Sequence, residues 1–200
     1  MTRDRQILDA AAALFYGKGF HGVGVDEIGQ RVGISGPALY RHFTGKDQIL
    51  ASLFSETMDE LIAATAVVYT DPDRDLERLV RHHVDFALEQ RHLVNVYQRE
   101  EKSLVEPWRT HFQRRQRIYA SRWEDALRRC FPSASDGRIA ASAQAAIGMI
   151  HSVAHWPRGA RQADDLADLL VRLVQRGLAT LDDPACAADD PTDTGTAHVA

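Results

Sequence analysis

The 200-residue chain has two cysteines, three methionines and seven prolines, and each scarcity removes a class of protein. Cys130 and Cys186 follow no metal or redox spacing, so neither a disulfide framework nor a thiolate metal site follows, and the pair fits a reducing cytoplasm. With few prolines and thirteen glycines the chain runs in long uninterrupted segments. Their apolar residues recur every three or four positions, and no convincing run alternates as a strand would. No stretch is long and apolar enough to span a bilayer, and the first residues lack the apolar centre of a secretion signal. An excess of positive charge is missing too, since the formal net charge is −4.

That charge is unevenly placed. Asp182, Asp183, Asp189, Asp190 and Asp193 give residues 182–200 five acidic groups and no basic one, while the preceding 181 residues hold 24 basic and 23 acidic groups. The segment 182–200, rich in Asp, Pro, Thr and Ala, is expected to be a disordered acidic tail. A hydrophobic content of 44% lets the remainder bury a core. Helical periodicity predicts an all-α fold of nine helices. The first spans about 2–16, two short ones fill 25–43, and others cover about 44–69, 72–90, 91–100, 107–131, 135–156 and 164–181.

Residues 24–43 are the most informative. Gly24 is a workable helix N-cap, and Asp26 and Glu27 put negative charge where a helix dipole favours it. Val25, Ile28 and Val32 share one face at spacings of three and four. Gly29 is small where a second helix must come close, and Gly33 admits the positive φ of a tight turn. Ser35 can cap the next helix, with Pro37 in its first turn. Leu39 and Phe43 point inward at i, i+4. Gly36, Pro37, Ala38, Tyr40, Arg41 and His42 are left toward solvent, a combination that suits a DNA groove. Residues 1–47 hold six basic groups against five acidic ones, a weak footprint that calls for two copies acting together.

The run GVDEIGQRVGISGPALYRHFTGK, preceded by AAALFYGKGFHG, resembles the N-terminal domain of the TetR/AcrR family of bacterial transcriptional regulators, over about Ile7 to Leu53. The resemblance implies a helix-turn-helix DNA-binding domain at 1–47 and a ligand-binding and dimerisation domain at 48–181. It puts Gly36, Pro37, Ala38, Tyr40, Arg41 and His42 on the recognition helix and makes Lys46 a phosphate contact. Val23-Gly24 departs from the family, which commonly has Thr-Thr or Thr-Ser there. The implied partners are a palindromic double-stranded operator, a small-molecule effector and a second copy of the chain. The implied activity is a cytoplasmic repressor with no membrane association, no cofactor and no enzymatic function.

The middle helices offer aromatic and polar residues suited to an effector cavity: Phe86, Tyr97, Trp108, Phe112, Arg115, Tyr119, Trp123 and His151, with His111 and Trp156 nearby. For any one of these aromatics taken singly, ordinary core is the commoner role. Seven arginines between Arg109 and Arg129 form either a solvated face or a mouth for an anionic ligand. VYQREE at 96–101 is similar to family members that sense acyl-CoA thioesters. His151 and His155 stand at i, i+4, the spacing at which two imidazoles share a metal, with Glu100, Glu101 or His83 as further donors. No third ligand follows from spacing, so a metal-sensing regulator stays open, as does a helical-bundle enzyme. The latter lacks a paired nucleophile and base. The helices at 135–156 and 164–181 carry Ala, Gly148 and surplus Leu and Val, which fits a four-helix dimer interface.

Overall fold

A computed structural model describes residues 2–182. Among these residues the chain forms nine α-helices and no strand. Helix α1 (Arg3–Lys18) starts under the Thr2 hydroxyl, which accepts the Arg5 N–H, and stops at Gly19, whose φ of 75° no helix can continue. Helix α2 (Val25–Arg31) starts at extended Gly24 and leads into Gly33, where φ is 71°. A Cβ on Gly29 would lie 2.8 Å from the Ile34 carbonyl oxygen, so only glycine lets the next segment cross there.

Helix α3 (Gly36–Leu39) is capped by the Ser35 hydroxyl, with Pro37 in its first turn. It is shorter than the sequence pattern suggested. After Leu39 the backbone tightens into i→i−3 bonds, Arg41 N–H to Ala38 O and His42 N–H to Leu39 O, before Phe43 drops into the core.

Helix α4 (Lys46–Ala64) departs from expectation at both ends. It starts at Lys46 rather than at about 44: Gly45 is the N-cap, and the Gln48 side chain accepts the Thr44 N–H at 2.6 Å. The helix also ends at Ala64 instead of continuing to about 69. The physical cause lies on α7 (Trp108–Cys130). Arg122 Nε donates to the Thr65 carbonyl at 2.9 Å, and Arg129 Nη2 donates to the Tyr69 and Thr70 carbonyls. Both guanidinium groups also meet Asp75, which is 1% exposed, at 2.7 and 2.9 Å, and the Tyr69 N–H closes the set at 3.0 Å. A buried carboxylate is tolerable only when so fully partnered. The arginine run of α7 is therefore neither a plain solvated face nor a ligand mouth at these two positions; it builds the elbow that follows α4.

Helix α5 (Pro72–Glu89) begins under the Asp71 carboxylate. Helix α6 (Arg91–Glu100) follows at once, and a 3₁₀ turn (Glu101–Ser103) leads toward α7. Helix α8 (Asp136–His151) stops five residues short of the expected end, because Ser152–His155 form a 3₁₀ turn. Helix α9 (Leu166–Leu178) runs into a last 3₁₀ turn ending at Asp182. The rest of the expected acidic tail, 183–200, lies outside the described residues.

A single apolar core runs through the molecule. Ile7, Leu8, Phe15, Ile28, Leu39 and Ile49 seal the first three helices against the start of α4. Leu79, Val80, Trp123, Leu127, Ile139 and Leu170 fill the space among α5, α7, α8 and α9. Removing such a side chain costs about 2–5 kcal/mol through lost transfer energy and the void left behind. Among the described residues, no helix is long and apolar enough to cross a membrane.

Candidate DNA-facing surface and effector cavity

The first region of interest is the face of α3 and the turn after it. Pro37, Tyr40, Arg41 and His42 are exposed and Ala38 is half-buried. Tyr40 is 57% exposed, so its ring and hydroxyl are open to an incoming surface. The Arg41 guanidinium is exposed, whereas His42 Nδ1 lies 2.6 Å from Asp4 Oδ1 on α1.

Gly36 does not face solvent as expected. It is buried where α3 meets α2, and a Cβ there would fall 1.9 Å from Oδ1 of the exposed Asp26 side chain, which would have to swing aside. Lys46 is also more occupied than its reading as a phosphate contact implied. Its ammonium donates to the Phe20 and Val23 carbonyls at 3.2 and 3.3 Å and sits 4.6 Å over the Phe20 ring. Of its three hydrogens two are used within the protein, which leaves one to point outward.

Phe20 is held from its other side as well. Its N–H donates to Glu100 Oε1 at 3.1 Å, the only long-range bond of that N–H, and Glu100 Oε2 accepts from Ser103 Oγ. Arg99 reaches the Tyr16 carbonyl, and Tyr16 stacks on His92 at 4.2 Å between centroids. The C-terminal end of α6 is thus bolted to the loop between α1 and α2.

The same helix forms one wall of a cavity. A space of about 680 Å³, counted out to its open mouth, lies among α4, α5, α6, α7 and α8. Phe54, Met58, Leu61, Phe86, Leu93, Val94, Phe112 and Ile147 supply apolar walls; Thr57, His83, Tyr97, Gln116, Tyr119, Gln144 and His151 supply polar atoms. Five expected residues line it: Phe86, Tyr97, Phe112, Tyr119 and His151. Three do not. Trp123 is fully buried core, packed edge-on to His83 behind the wall. Trp108 packs against the core at the start of α7, away from the cavity. Arg115 points outward to pair with Asp59. The α4 residues Phe54, Thr57, Met58 and Leu61 were missed, because their spacing is that of any core-facing helix.

Three side chains form a buried relay. The Tyr119 hydroxyl lies 2.8 Å from His83 Nδ1, and His83 Nε2 lies 3.1 Å from His151 Nε2. Burial pushes His83 well below the ordinary imidazole value, with the neighbouring His151 and His82 acting in the same direction. Burial alone lowers His151 to about 4 and is the main cause of the rise at Tyr119. Tyr97 is pushed up to about 12 by burial and by the negative charge of Glu101.

His155 does not join His151. The 3₁₀ turn breaks the i, i+4 register and sends His155 to Asn95 at 3.1 Å and Gln98 at 2.7 Å. Among the described residues no cluster of three or more metal-binding side chains occurs.

An all-helical chain with a helix-turn-helix at one end and a helical body enclosing a cavity defines a class of one-component regulators. The comparisons narrow it. Residues 7–53 match the bacterial regulatory proteins of the tetR family, and residues 69–178 match the tetracyclin repressor-like C-terminal domain. The chain belongs to the tetR family. Among curated relatives it is 33% identical to the HTH-type transcriptional activator FasR of Mycolicibacterium smegmatis, over 42% of this chain and 40% of that protein. The match therefore spans less than half of that relative. The crystal structure of PfmR, a TetR family regulator of Thermus thermophilus, superimposes with a TM-score of 0.76 at 28% identity, covering 88% of this chain and 96% of that one. AibR, crystallised with isovaleryl coenzyme A and operator DNA, shares the fold at a TM-score of 0.74 and 21% identity, over 86% of this chain and 97% of AibR.

Proposed function

We propose that this protein is a ligand-responsive, DNA-binding transcriptional regulator, a repressor released from a palindromic operator when a small, largely apolar effector enters the cavity. In this reading residues 1–47 are the DNA-binding domain and 48–181 the effector and dimerisation domain. Tyr40, Arg41 and His42 face the groove beside Pro37 and Ala38, Gly36 sets their register, and the third hydrogen of Lys46 goes to a phosphate. The protein acts in the cytoplasm, where its DNA is, and catalyses no reaction.

The observation that carries this is the double duty of α6. Leu93, Val94 and Tyr97 touch the cavity, and three residues further on Glu100 grips Phe20 in the DNA-binding domain. A molecule that displaces the Tyr97 wall must therefore displace the head or break that bond. Bound DNA and bound effector favour different placements of the head, so each weakens the other by the same coupling free energy.

Two copies are needed. Met149 on α8 and Leu169 and Leu173 on α9 are exposed, beside exposed Ala141, Ala145 and Gly148. Together they make an apolar, closely approachable face suited to a two-fold four-helix contact. Such a dimer spaces its recognition helices by roughly 34–36 Å to reach successive major grooves. The finer reading of the effector is an acyl-CoA type, with the acyl chain in the cavity. Tyr97 of the VYQREE segment on the cavity wall supports it, as does the AibR complex. Fluorescence anisotropy with DNA flanking the protein's own gene tests the whole reading. Two-fold-symmetric binding that falls on adding an acyl-CoA is expected; no preference over random DNA sinks the reading.

A further inference from the structure

The cavity holds no Lys, Arg, Asp or Glu on its wall. The nearest charge bonded to it is a negative one. Gln116 Nε2 donates both to the Tyr97 hydroxyl at 2.7 Å and to Glu101 Oε1 at 3.1 Å, which places a carboxylate directly behind the lining. Most hydrogen-bond donors there are already committed. The Thr57 hydroxyl donates to the Leu53 carbonyl at 2.8 Å, and both amide hydrogens of Gln116 are used. Gln144 stands exposed at the rim.

The Tyr119–His83–His151 relay is different, because its hydrogens can be counted. A phenol and two neutral imidazoles carry three hydrogens between them, and the relay contains two bonds. His83 has a single hydrogen, so it must donate at one nitrogen and accept at the other. One donor is always left over, at Tyr119 or at His151. Both residues line the cavity, so whichever tautomer His83 takes, the spare donor, the Tyr119 O–H or the His151 Nδ1–H, belongs to its wall.

We infer that the cavity selects an uncharged apolar chain carrying one acceptor oxygen, a ketone, ester or thioester carbonyl, which takes the spare hydrogen of the Tyr119–His83–His151 relay, and that it rejects the matching free carboxylate. The inference rests on the reading of this cavity as the effector site. A carboxylate there would lose its hydration, find no cation on the wall and have Glu101 behind it; a carbonyl loses less and accepts the relay's spare hydrogen. A thioester thus differs from the acid released on its hydrolysis, and the site distinguishes the two by charge at nearly equal shape.

The test compares octan-2-one with octanoate by calorimetry on the full-length protein near neutral pH. The ketone is expected to bind at least about tenfold more tightly, the size of a lost hydrogen bond to an uncompensated charge. Either His151→Leu or Tyr119→Phe, whichever removes the spare hydrogen, should lose about tenfold for the ketone. Octanoate binding as tightly as the ketone overturns the inference and leaves the effector cavity standing. Binding of neither overturns both. Equal ketone affinity in wild type, His151→Leu and Tyr119→Phe takes the relay out of the site and overturns the inference. Should His151→Leu not fold, the ketone-to-acid ratio in the wild type decides alone.

Discussion

The face of α3 and the wall of the cavity use the same residue types in opposite solvents. Tyr40 is 57% exposed and Tyr119 is 4% exposed. His42 reaches Asp4 in water, while His83 reaches His151 out of it. On the head, solvent can replace any partner, so these side chains are held weakly and remain available to an incoming surface. In the cavity, burial forces the neutral forms and fixes the number of hydrogens, so each unmet donor or acceptor has a definite consequence. Recognition by the head therefore rests on geometry and reach. Recognition by the body rests on which polar atoms are left unmatched.

The sharpest way to break this contrast is stability. Trp123→Ala, behind the cavity wall, should cost about 3–5 kcal/mol in urea unfolding, against about 0.5 kcal/mol or less for Tyr40→Ala. Similar losses at the two sites would mean that the head's exposed face is a packed surface. Acid should separate the regions next. His83 and His151 take up protons in the unfolded chain below the ordinary imidazole value of 6.5, but His151 in the folded one only near 4. Their contribution is thus complete above about pH 6.5 and is lost as pH falls toward about 4. Over that window wild type should lose up to about 3 kcal/mol more than His151→Gln. Parallel pH profiles for the two proteins would mean that His151 is solvated.

Smaller effects belong to the DNA side. Arg41→Ala should flatten base preference at one symmetric pair of operator positions, by about 1–3 kcal/mol, with thermal stability unchanged. A selected-sequence profile identical to wild type assigns Arg41 to the backbone instead. Lys46→Ala should lower the salt slope of binding by about one unit per subunit. Because the same ammonium ties Phe20 and Val23 to α4, it should also cost a few tenths of a kcal/mol or more in stability, unlike Arg41→Ala. A change in salt slope with no change in stability would show that the two carbonyl contacts contribute nothing.

Legibility followed the same division. Gly29, Gly33, Ser35 and Pro37 each have a local backbone reason that is readable from the chain, so the helix-turn-helix was visible. Gly36 misled because a small residue suits a groove face and a close helix crossing equally, and only its burial where α3 meets α2 decides between them. The end of α4 was illegible, since Arg122 and Arg129 that terminate it lie 57 to 60 residues away in the chain. In the cavity, Trp123 and Tyr119 are four residues apart on one helix and differ only in which side of the wall they occupy. Helical spacing cannot separate a lining residue from the core residue behind it.

The two anchors of Phe20 also impose an order on synthesis. Lys46 leaves the ribosome soon after the loop it holds, but Glu100 follows 80 residues behind Phe20. The nascent head can therefore gather its own core early, yet the Phe20 N–H finds its buried acceptor only once α6 has emerged. The elbow waits longer still, because Asp75 can be buried only when Arg122 and Arg129 arrive. A head formed on the ribosome is consequently not yet geared to any effector. Control by ligand waits for α8, which brings Gln144, Ile147 and His151 to the cavity wall.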